Sequence, residues 1–174
     1  MELSPTTQKF VLHWGEMGSR WGVNRTVAQI HALVFSSAKP LNAEEIAQTL
    51  DLARSNVSTS MKELMGWGLL RVTHLPGDRR DFYVAHQDIW EIFRVVMDER
   101  KKRELDPTLL VLRECAQEAK DDKAMDASTR EKIQNMLEFM ELLMSAYEDF
   151  KRLPTPTLRK MLKAGGKLAQ LLKG

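Results

Sequence analysis

Short polar and basic side chains are concentrated between residues 54 and 62, where the apolar residues keep helical spacing. Hydroxyl and amide groups can hydrogen-bond to base edges or phosphates, and an arginine is long enough to reach a guanine edge. Two further arginines stand in the turn PGDRR, from which they could reach a neighbouring phosphate or the minor groove. The candidate nucleic-acid contacts are therefore Arg54, Ser55, Asn56, Ser58, Thr59, Lys62, Arg79 and Arg80.

Each of these features also has an ordinary structural explanation when it is taken alone. A polar helix face is usually just solvated, a PGDRR turn is usually only a turn, and an arginine pair is most often surface charge. Their joint occurrence at this spacing, beside the apolar pattern of a small three-helix core, favours binding to duplex DNA.

The elements that must position these groups follow from the periodicity of the chain. Residues 42–50 and about 54–66 predict two helices joined by a tight turn, and Asn42 with Glu45 has the reciprocal spacing of a capping box. LLRVTHL and DFYVAH alternate as strands around the basic turn, which predicts a β-hairpin. This is the element order of a winged helix-turn-helix, in which the second helix enters the major groove.

Helices are also predicted before and after this segment. Ser4 and Pro5 have the pattern of an N-cap and a first helical residue, so a first helix is expected over about 5–19. Asn24 can cap a second helix, which stops before Pro40.

The C-terminal half predicts long helices. A helix follows the hairpin to about residue 104, and Asp106-Pro107 is either the start of another helix or a kink within one long helix. Ser128 with Glu131 predicts a second capping box. The helix after it carries an apolar stripe that needs a partner, formed by Ile133, Met136, Leu137, Met140, Leu143, Met144, Tyr147 and Phe150.

The fold class that these elements predict is mainly α with a small β-hairpin wing. We expect a winged helix-turn-helix DNA-binding domain over 1–88, whose N-terminal helix is shared with a dimer interface. A helical dimerisation region over 89–152 and a basic tail over 153–174 complete the predicted organisation.

Charge is unevenly distributed along the chain. Residues 151–174 contain seven Lys/Arg and no Asp/Glu, so the preceding 150 residues are net negative although the whole chain carries +2. A DNA-binding face outside the tail must therefore be a local patch.

The tail allows a second interpretation, because apolar and basic side chains alternate around a helix over residues 158–172 in a way that suits a membrane surface. Gly165 and Gly166 weaken that helix, and contact with DNA phosphates or simple disorder explains the tail equally well. The apolar set is Leu158, Met161, Leu162, Leu168 and Leu172, and the basic set is Arg159, Lys160, Lys163 and Lys167.

Catalytic and metal-binding chemistry has little support in the sequence. Cys115 is the only cysteine, so no intramolecular disulfide is possible, and the four histidines are scattered without metal-ligand spacing. Nucleophile–base pairings and a glycine-rich phosphate loop are missing, so we expect neither an enzyme nor a cofactor. With no apolar run of membrane-spanning length and no signal-peptide pattern, we expect no membrane association and a cytoplasmic location.

The segment LNAEEIAQTLDLARSNVSTSMKELMGWGLLRVTHLPGDRRDFYV strongly resembles the MarR-like winged-helix regulators, and the likeness is closer to their GbsR branch. A WGxxxG-like stretch from Trp14 to Gly22, the helix NVSTSMKEL, the wing GDRRDFY and the following DIWEIFR occur in the order seen in that branch. The resemblance covers residues 8–97 well, and residues 98–152 only as a dimer-forming helical pattern.

This resemblance implies a sequence-specific DNA-binding transcriptional regulator, which we expect to be a repressor. It gives the recognition-helix role to the candidates between 54 and 62, and the wing role to Arg79 and Arg80. It also implies a homodimer, built from the N-terminal and C-terminal helices, on a pseudo-palindromic operator with half-sites about one helical turn apart. Ala53 departs from the family, where a Ser cap is common, so Ser55 or Asp51 is expected to help start the helix.

A small-molecule effector is a further implication, because GbsR-type regulators are associated with choline or glycine-betaine responses. Four tryptophans, Trp14, Trp21, Trp67 and Trp90, could surround a quaternary ammonium by cation–π attraction, although such residues are more often packing residues. A different class of function also stays open, namely an architectural or protein-interaction module that has lost sequence-specific DNA contact.

Overall fold

The computed structural model describes residues 2–171, and the side chains as far as residue 165. It divides into two compact units, Met1–Val96 and Met97–Gly174. In chain order the elements are α1 (Pro5–Arg20), α2 (Arg25–Ser36), β1 (Leu41–Asn42), α3 (Ala43–Leu50), α4 (Arg54–Gly66), β2 (Leu70–Thr73), β3 (Phe82–Ala85), α5 (Ile89–Arg100), a π-helical turn (Lys101–Leu105), α6 (Asp106–Glu118), α7 (Ala127–Arg152) and α8 (Thr155–Leu171). The predicted fold class, mainly helical with a small antiparallel sheet, is confirmed.

Helix α2 lies at the centre of the first unit. Its Ile30 and Leu33 are completely buried, and they belong to one core with apolar side chains from α1, α3, α4 and α5. Burial of this kind removes roughly 1.5–3 kcal/mol of unfavourable hydration per large side chain. The neighbouring helices contribute Val11, Ile46, Val57, Met61, Leu64 and Ile92 to that core.

Glycines let α1 approach α2 closely. A Cβ atom placed on Gly18 would lie 2.5 Å from the Cβ of Ala28, and one on Gly15 would lie 2.4 Å from Cγ of Gln29. Real Cβ atoms do not approach other atoms so closely. The glycine backbone of α1 therefore packs directly against side chains of α2. The WGxxxG-like spacing is thereby explained as a packing requirement.

Three of the predicted helix caps are confirmed. Asn24 caps α2, because its Oδ1 accepts from the Thr26 N–H at 2.8 Å. The Ser4 hydroxyl accepts from the Thr7 N–H at 3.2 Å. The capping box is complete, because Glu45 N–H donates to Asn42 Oδ1 at 3.0 Å and Asn42 N–H donates to Glu45 Oε2 at 2.9 Å. These pairs satisfy N–H groups that have no partner inside the helix.

The predicted cap at Ser128 is wrong. Helix α7 begins earlier, and Asp126 is its N-cap, with Oδ1 accepting from the Thr129 N–H at 2.9 Å. A carboxylate is a better N-cap than the hydroxyl of Ser128, because it accepts the hydrogen bond and its negative charge also interacts favourably with the positive helix terminus.

The sheet has three strands in the order β1-β3-β2, all antiparallel. The predicted hairpin pairs Leu70 with Ala85 at its base and Thr73 with Phe82 towards the wing. Strand β1 was not predicted; it pairs Leu41 with Tyr83 and so joins the start of α3 to the wing.

At Asp106 the helical backbone is continuous, with a π-helical turn before it, and Asp106 does not cap a separate helix. The π-helical turn joins α5 to α6, and Leu105 before Asp106 keeps helical dihedral angles.

Tyr147 from α7 donates to the carboxylate of Asp98 at 2.7 Å, and Lys151 pairs with the same carboxylate at 2.6 Å. The small core of the second unit consists of Leu109, Ala116, Leu137, Met140 and Met144.

Helix α8 continues through Gly165 and Gly166, so the glycine pair does not end it. A helical glycine costs about 1 kcal/mol relative to alanine, which weakens a helix without breaking it. In the predicted amphipathic tail, Leu158 is buried while the apolar side chains at 161 and 162 are exposed. The side chains of 167 and 168, and all of residue 172, lie outside the described residues. Among the helices of residues 2–171, none has the length and apolarity needed to cross a membrane.

The first unit runs past residue 88, the predicted domain boundary, as far as Val96. Ile92 is buried in the first core, and Val95 and Val96 pack against it. The assignment of 89–152 to dimerisation and of 153–174 to a separate tail stays a prediction.

Replacing Gly18 by Ala should destabilise the protein by about 1–3 kcal/mol, because the added methyl group overpacks against Ala28. Gly66→Ala is the matched control: a Cβ there meets nothing within 4 Å, so the helix gains up to about 1 kcal/mol from the better helix former. Urea unfolding followed by circular dichroism measures both. Equal stability of the two variants would contradict the close approach of α1 and α2.

Candidate nucleic-acid interface

A tight turn joins α3 to α4. Asp51 ends α3 in the left-handed region at φ +52°, a conformation that Asp tolerates better than most residues. The Leu52 N–H donates to the carbonyl of Ala47 at 2.9 Å, which closes the end of α3 before α4 begins at Arg54. The helix, turn and helix of the prediction are therefore present with the expected boundaries.

Helix α4 has one buried and one exposed face. Val57, Met61 and Leu64 are buried, whereas every predicted contact residue of this helix is exposed. At about 100° per residue, five of the six predicted side chains fall within roughly 140° of helix surface, and Asn56 lies at the flank beside the core. The five are Arg54, Ser55, Ser58, Thr59 and Lys62.

The start of α4 carries no side-chain cap. Ala53 occupies the N-cap position without a cap hydrogen bond, and Asp51 instead ends the preceding helix. The expectation that Ser55 or Asp51 caps this helix is therefore wrong. The N–H groups of the first turn remain available to water or to a phosphate oxygen, the usual partner of an exposed helix N-terminus.

Arg54 is paired within the protein. Its guanidinium donates to the carboxylate of Glu44 in the first turn of α3, and Gln48 donates to the other oxygen of that carboxylate at 3.1 Å. The Arg54 hydrogen bond lowers the pKa of Glu44, and the charge of Arg80 lowers it further. The side chain of Arg54 is still 78% exposed, so it remains accessible to another molecule.

The two wing arginines differ. Arg80 donates to both oxygens of Asp78 at 2.5–3.1 Å and lies over the ring of Phe82 at 5.5 Å, so its position is fixed. This pairing lowers the pKa of Asp78 to about 2. Arg79 is exposed, and no other described residue forms a hydrogen bond or ion pair with it. Gly77, at φ +80°, supplies the left-handed residue of the tip.

Residues 21–81, which contain this helix-turn-helix and wing, match the family model described as the MarR family. Over this segment the chain is therefore similar to the MarR family of transcriptional regulators. The function predicted from the sequence, a DNA-binding transcriptional regulator, agrees with this match.

Two relatives extend the MarR-family likeness beyond the matched segment. The chain is 18% identical over 161 residues to YvaV of Bacillus subtilis (strain 168), whose name describes an HTH-type transcriptional regulator; the alignment covers 88% of this chain and 91% of that protein. It also matches the crystal structure of a transcriptional regulator with a TM-score of 0.63 and 16% identity, over 84% of this chain and 96% of the other. The solved structure supports the fold.

Sequence reasoning missed two carboxylates in the candidate interface, those of Asp78 and Glu44. Asp78 was detectable, because it stands two residues before Arg80 in a tight turn, where side chains at that spacing can meet. Glu44 was not, because it meets Arg54 only through the angle between α3 and α4.

The four tryptophans of the first unit divide into two groups. Trp14, Trp21 and Trp67 line one cavity of about 60 Å³, whereas Trp90 stands in the first turn of α5 and is not among its lining residues. His31 lines the same cavity and was not singled out by the sequence. Within residues 2–171, no three His, Cys, Asp or Glu side chains are grouped to hold a metal ion.

His31 is 6% exposed, and burial lowers its pKa from 6.5 to about 4. The unfolded chain therefore binds a proton near pH 6.5 that the folded protein does not bind until about pH 4. Stability that depends on neutral His31 is complete above pH 6.5 and is lost as the pH falls towards 4.

Between pH 7 and pH 5 the wild type should therefore lose about 2 kcal/mol more of its unfolding free energy than His31→Leu. Urea unfolding at the two pH values measures the difference. His13→Leu, which removes an exposed histidine from α1, serves as the control and should behave as the wild type. The same pH dependence in wild type and His31→Leu would mean that His31 is not held neutral.

Proposed function

We propose that this regulator binds a specific duplex operator as a homodimer, with α4 in the major groove and the wing on the adjacent backbone or minor groove. The observation that carries the proposal is the exposed face of α4, where short polar side chains stand between Arg54 and Lys62 with no apolar residue among them. Side chains of this kind approach base edges closely, and the arginine offers a bidentate pairing with guanine.

Some of the basic side chains of α4 and the wing are neutralised by carboxylates of the protein. This affects which of them we expect to contact phosphates and which to read bases. Arg54 and Arg80 each have a carboxylate partner, whereas Lys62 and Arg79 have no hydrogen-bond or ion-pair partner among the described residues. Unpaired cations contribute most to phosphate binding, because they release counterions without first losing an ion pair. We therefore assign phosphate contact mainly to Lys62 and Arg79, and base reading to Arg54.

The second unit supports dimerisation by a second copy of this chain. Met136, Phe139, Leu142 and Leu143 recur at helical spacing along α7 and are 44–71% exposed, while Leu137, Met140 and Met144 on the other face are buried. An exposed apolar stripe of this length needs a partner. Two-fold pairing would present two copies of α4 to the two halves of an inverted repeat.

We also propose the finer assignments that the sequence suggested. Membership of the GbsR branch rests on the stretch from Trp14 to Gly22, whose Gly15 and Gly18 admit α2 at close range. Action as a repressor in the cytoplasm, where a bacterial operator is found, follows from that assignment. An architectural module without sequence preference is the competing function.

Selection of bound duplexes from a random library by the full-length protein, at about physiological salt, tests the proposal. We expect enrichment of an inverted repeat by a dimer, with the oligomeric state measured by sedimentation. Salt-sensitive binding without an enriched motif would support the architectural function instead.

Arg54→Ala should weaken binding to the selected operator by about 1–3 kcal/mol and relax preference at one base pair in each half-site. The physical reason is loss of a bidentate contact to a base edge. Ser128→Ala, on the exposed surface of α7 outside the first unit, is the control and should bind as the wild type. If the base preference of Arg54→Ala matches that of the wild type, Arg54 does not read a base.

Single substitutions should distinguish the contributions of Arg79 and Arg80 to phosphate binding. Arg79→Ala should lower the slope of log K against log salt by about 1 on any sequence, because one phosphate contact is lost. Arg80→Ala should lower it by less, since the Arg80 charge is already paired with Asp78. Titrations on a random duplex and on the selected operator at several salt concentrations measure both slopes. A loss confined to the selected operator would instead put the wing in a groove.

A further inference from the structure

A cavity of about 390 Å³ lies between the start of α1, one face of α2 and the C-terminal end of α3. It shares no described lining residue with the cavity of Trp14, Trp21 and Trp67. Its volume falls in the range of sites that bind small molecules, roughly 300–1,000 Å³. The chemistry of its walls therefore indicates which molecule it could hold.

The polar side chains in the walls of this cavity can all accept hydrogen bonds. Glu2 and Asp51 contribute carboxylates, Gln8 and Gln29 contribute amide oxygens, and Thr49 contributes a hydroxyl. No Lys, Arg or His belongs to the described lining residues, and within residues 2–171 neither carboxylate has a hydrogen-bond or ion-pair partner. Two negative charges therefore border this cavity without a compensating cation from the described part of the chain.

The hydroxyl group of Thr49 is also without a partner. Its Oγ1 atom is buried, and it forms no hydrogen bond with another described residue. Threonine in a helix can donate to a carbonyl of the preceding turn, as Thr108 does to Glu104 at 2.6 Å, but Thr49 forms no such bond. Burial of an unpaired hydroxyl is unfavourable, so a donor bound beside Thr49 would stabilise the folded protein.

These walls disfavour several classes of ligand. The two carboxylates would repel an anion. A divalent metal ion needs several oxygen ligands, but no three His, Cys, Asp or Glu side chains are grouped within residues 2–171 to hold one. A wholly apolar molecule would leave the acceptors unpaired.

An aliphatic ammonium fits the same walls. Leu3, Leu12 and Leu50 supply apolar surface next to the acceptors, against which a hydrocarbon chain can pack. A primary ammonium at the end of such a chain brings three N–H donors and one positive charge. It therefore offers hydrogen bonds to the unpaired acceptors and compensates the charge of the carboxylates.

We propose that this cavity binds a small aliphatic molecule carrying a primary ammonium group. The ammonium donates to the carboxylates of Glu2 and Asp51 and to the hydroxyl of Thr49, while the hydrocarbon chain packs against the leucines. Because Glu2 precedes α1 and Asp51 ends α3, the bound ammonium joins the two elements by charge. The site lies outside α4 and the wing, and binding there does not depend on DNA recognition.

Hexylamine and hexanol form the matched probe pair, because at pH 7 they differ only in an ammonium against a hydroxyl group. Calorimetric titration of the full-length protein at pH 7, without DNA, gives both dissociation constants. Hexylamine should bind at millimolar concentration or below, and at least about tenfold more tightly than hexanol. Salt at about 1 M should reduce that preference, because it screens the attraction between opposite charges.

Asp51→Asn is the first variant to measure, since Asn keeps the shape of the side chain and tolerates the left-handed backbone at this position. It should lower the preference for hexylamine over hexanol at least about fivefold, because the amide carries no charge. Glu2→Gln, before the first helix, should act in the same direction and keeps the test available if Asp51→Asn does not fold. Glu16→Gln is the control: it removes a negative charge from the exposed surface of α1 outside the cavity, and should keep the wild-type preference.

Two further measurements separate hydrogen bonding from charge. Hexyltrimethylammonium carries the same charge as hexylamine but has no N–H group, so it should bind at least about fivefold more weakly. Thr49→Val replaces the hydroxyl by a methyl group and should weaken hexylamine binding at least about twofold, whereas Thr49→Ser, which keeps the hydroxyl, should not.

Any of four results would overturn the proposal. The first two are the absence of millimolar hexylamine binding to the wild type, and a preference over hexanol that survives both Asp51→Asn and Glu2→Gln. The others are a hexylamine affinity that Thr49→Val does not change, and binding of hexyltrimethylammonium as tight as that of hexylamine. Because no DNA is present, none of these results bears on whether α4 reads an operator.

Discussion

Burial of α2 is the constraint on which the first unit depends. Seven of its twelve residues are buried, so every neighbouring element must offer it an apolar or very small surface. Helix α1 meets this demand at Gly18, where there is no side chain to separate the backbones, and α4 meets it with Val57, Met61 and Leu64. Once α4 is held by that face, its polar face is turned away from the core and is free for DNA.

The parts of the fold that depend on neighbours within a few residues could be predicted from the sequence. Asn42 and Glu45 satisfy each other across three residues, and the pattern of α4 separates buried from exposed positions. Features that depend on contacts between residues far apart in the sequence could not be predicted in this way. Strand β1 has only two residues and no readable period, and the π-helical turn before Asp106 adds an irregularity that a short window cannot show.

The candidate interface divides in the same way. The exposed polar residues of α4 follow from helical periodicity alone, and all of them are exposed as predicted. The ion pair between Arg54 and Glu44 joins residues ten positions apart on two helices, so it depends on the angle at which those helices cross. The lack of a hydrogen-bond partner for Nε2 of His31 is likewise set by all the residues around it, and a single histidine in an apolar helix gives no sign of it.

Carboxylates beside Arg54 and Arg80 have a kinetic consequence for a protein that must find one operator among many random sequences. On random DNA, a phosphate offers Arg54 little that Glu44 does not already provide, so the guanidinium gains almost nothing by leaving its internal partner. In the proposed complex, retention at wrong sites would be correspondingly brief, and the protein would transfer quickly between them. In the proposed complex, only a guanine edge at the right position, which accepts two hydrogen bonds at once, would draw the arginine away. In this proposal the two acidic residues would shorten the search, because they would weaken binding to every sequence except the one that completes the contact.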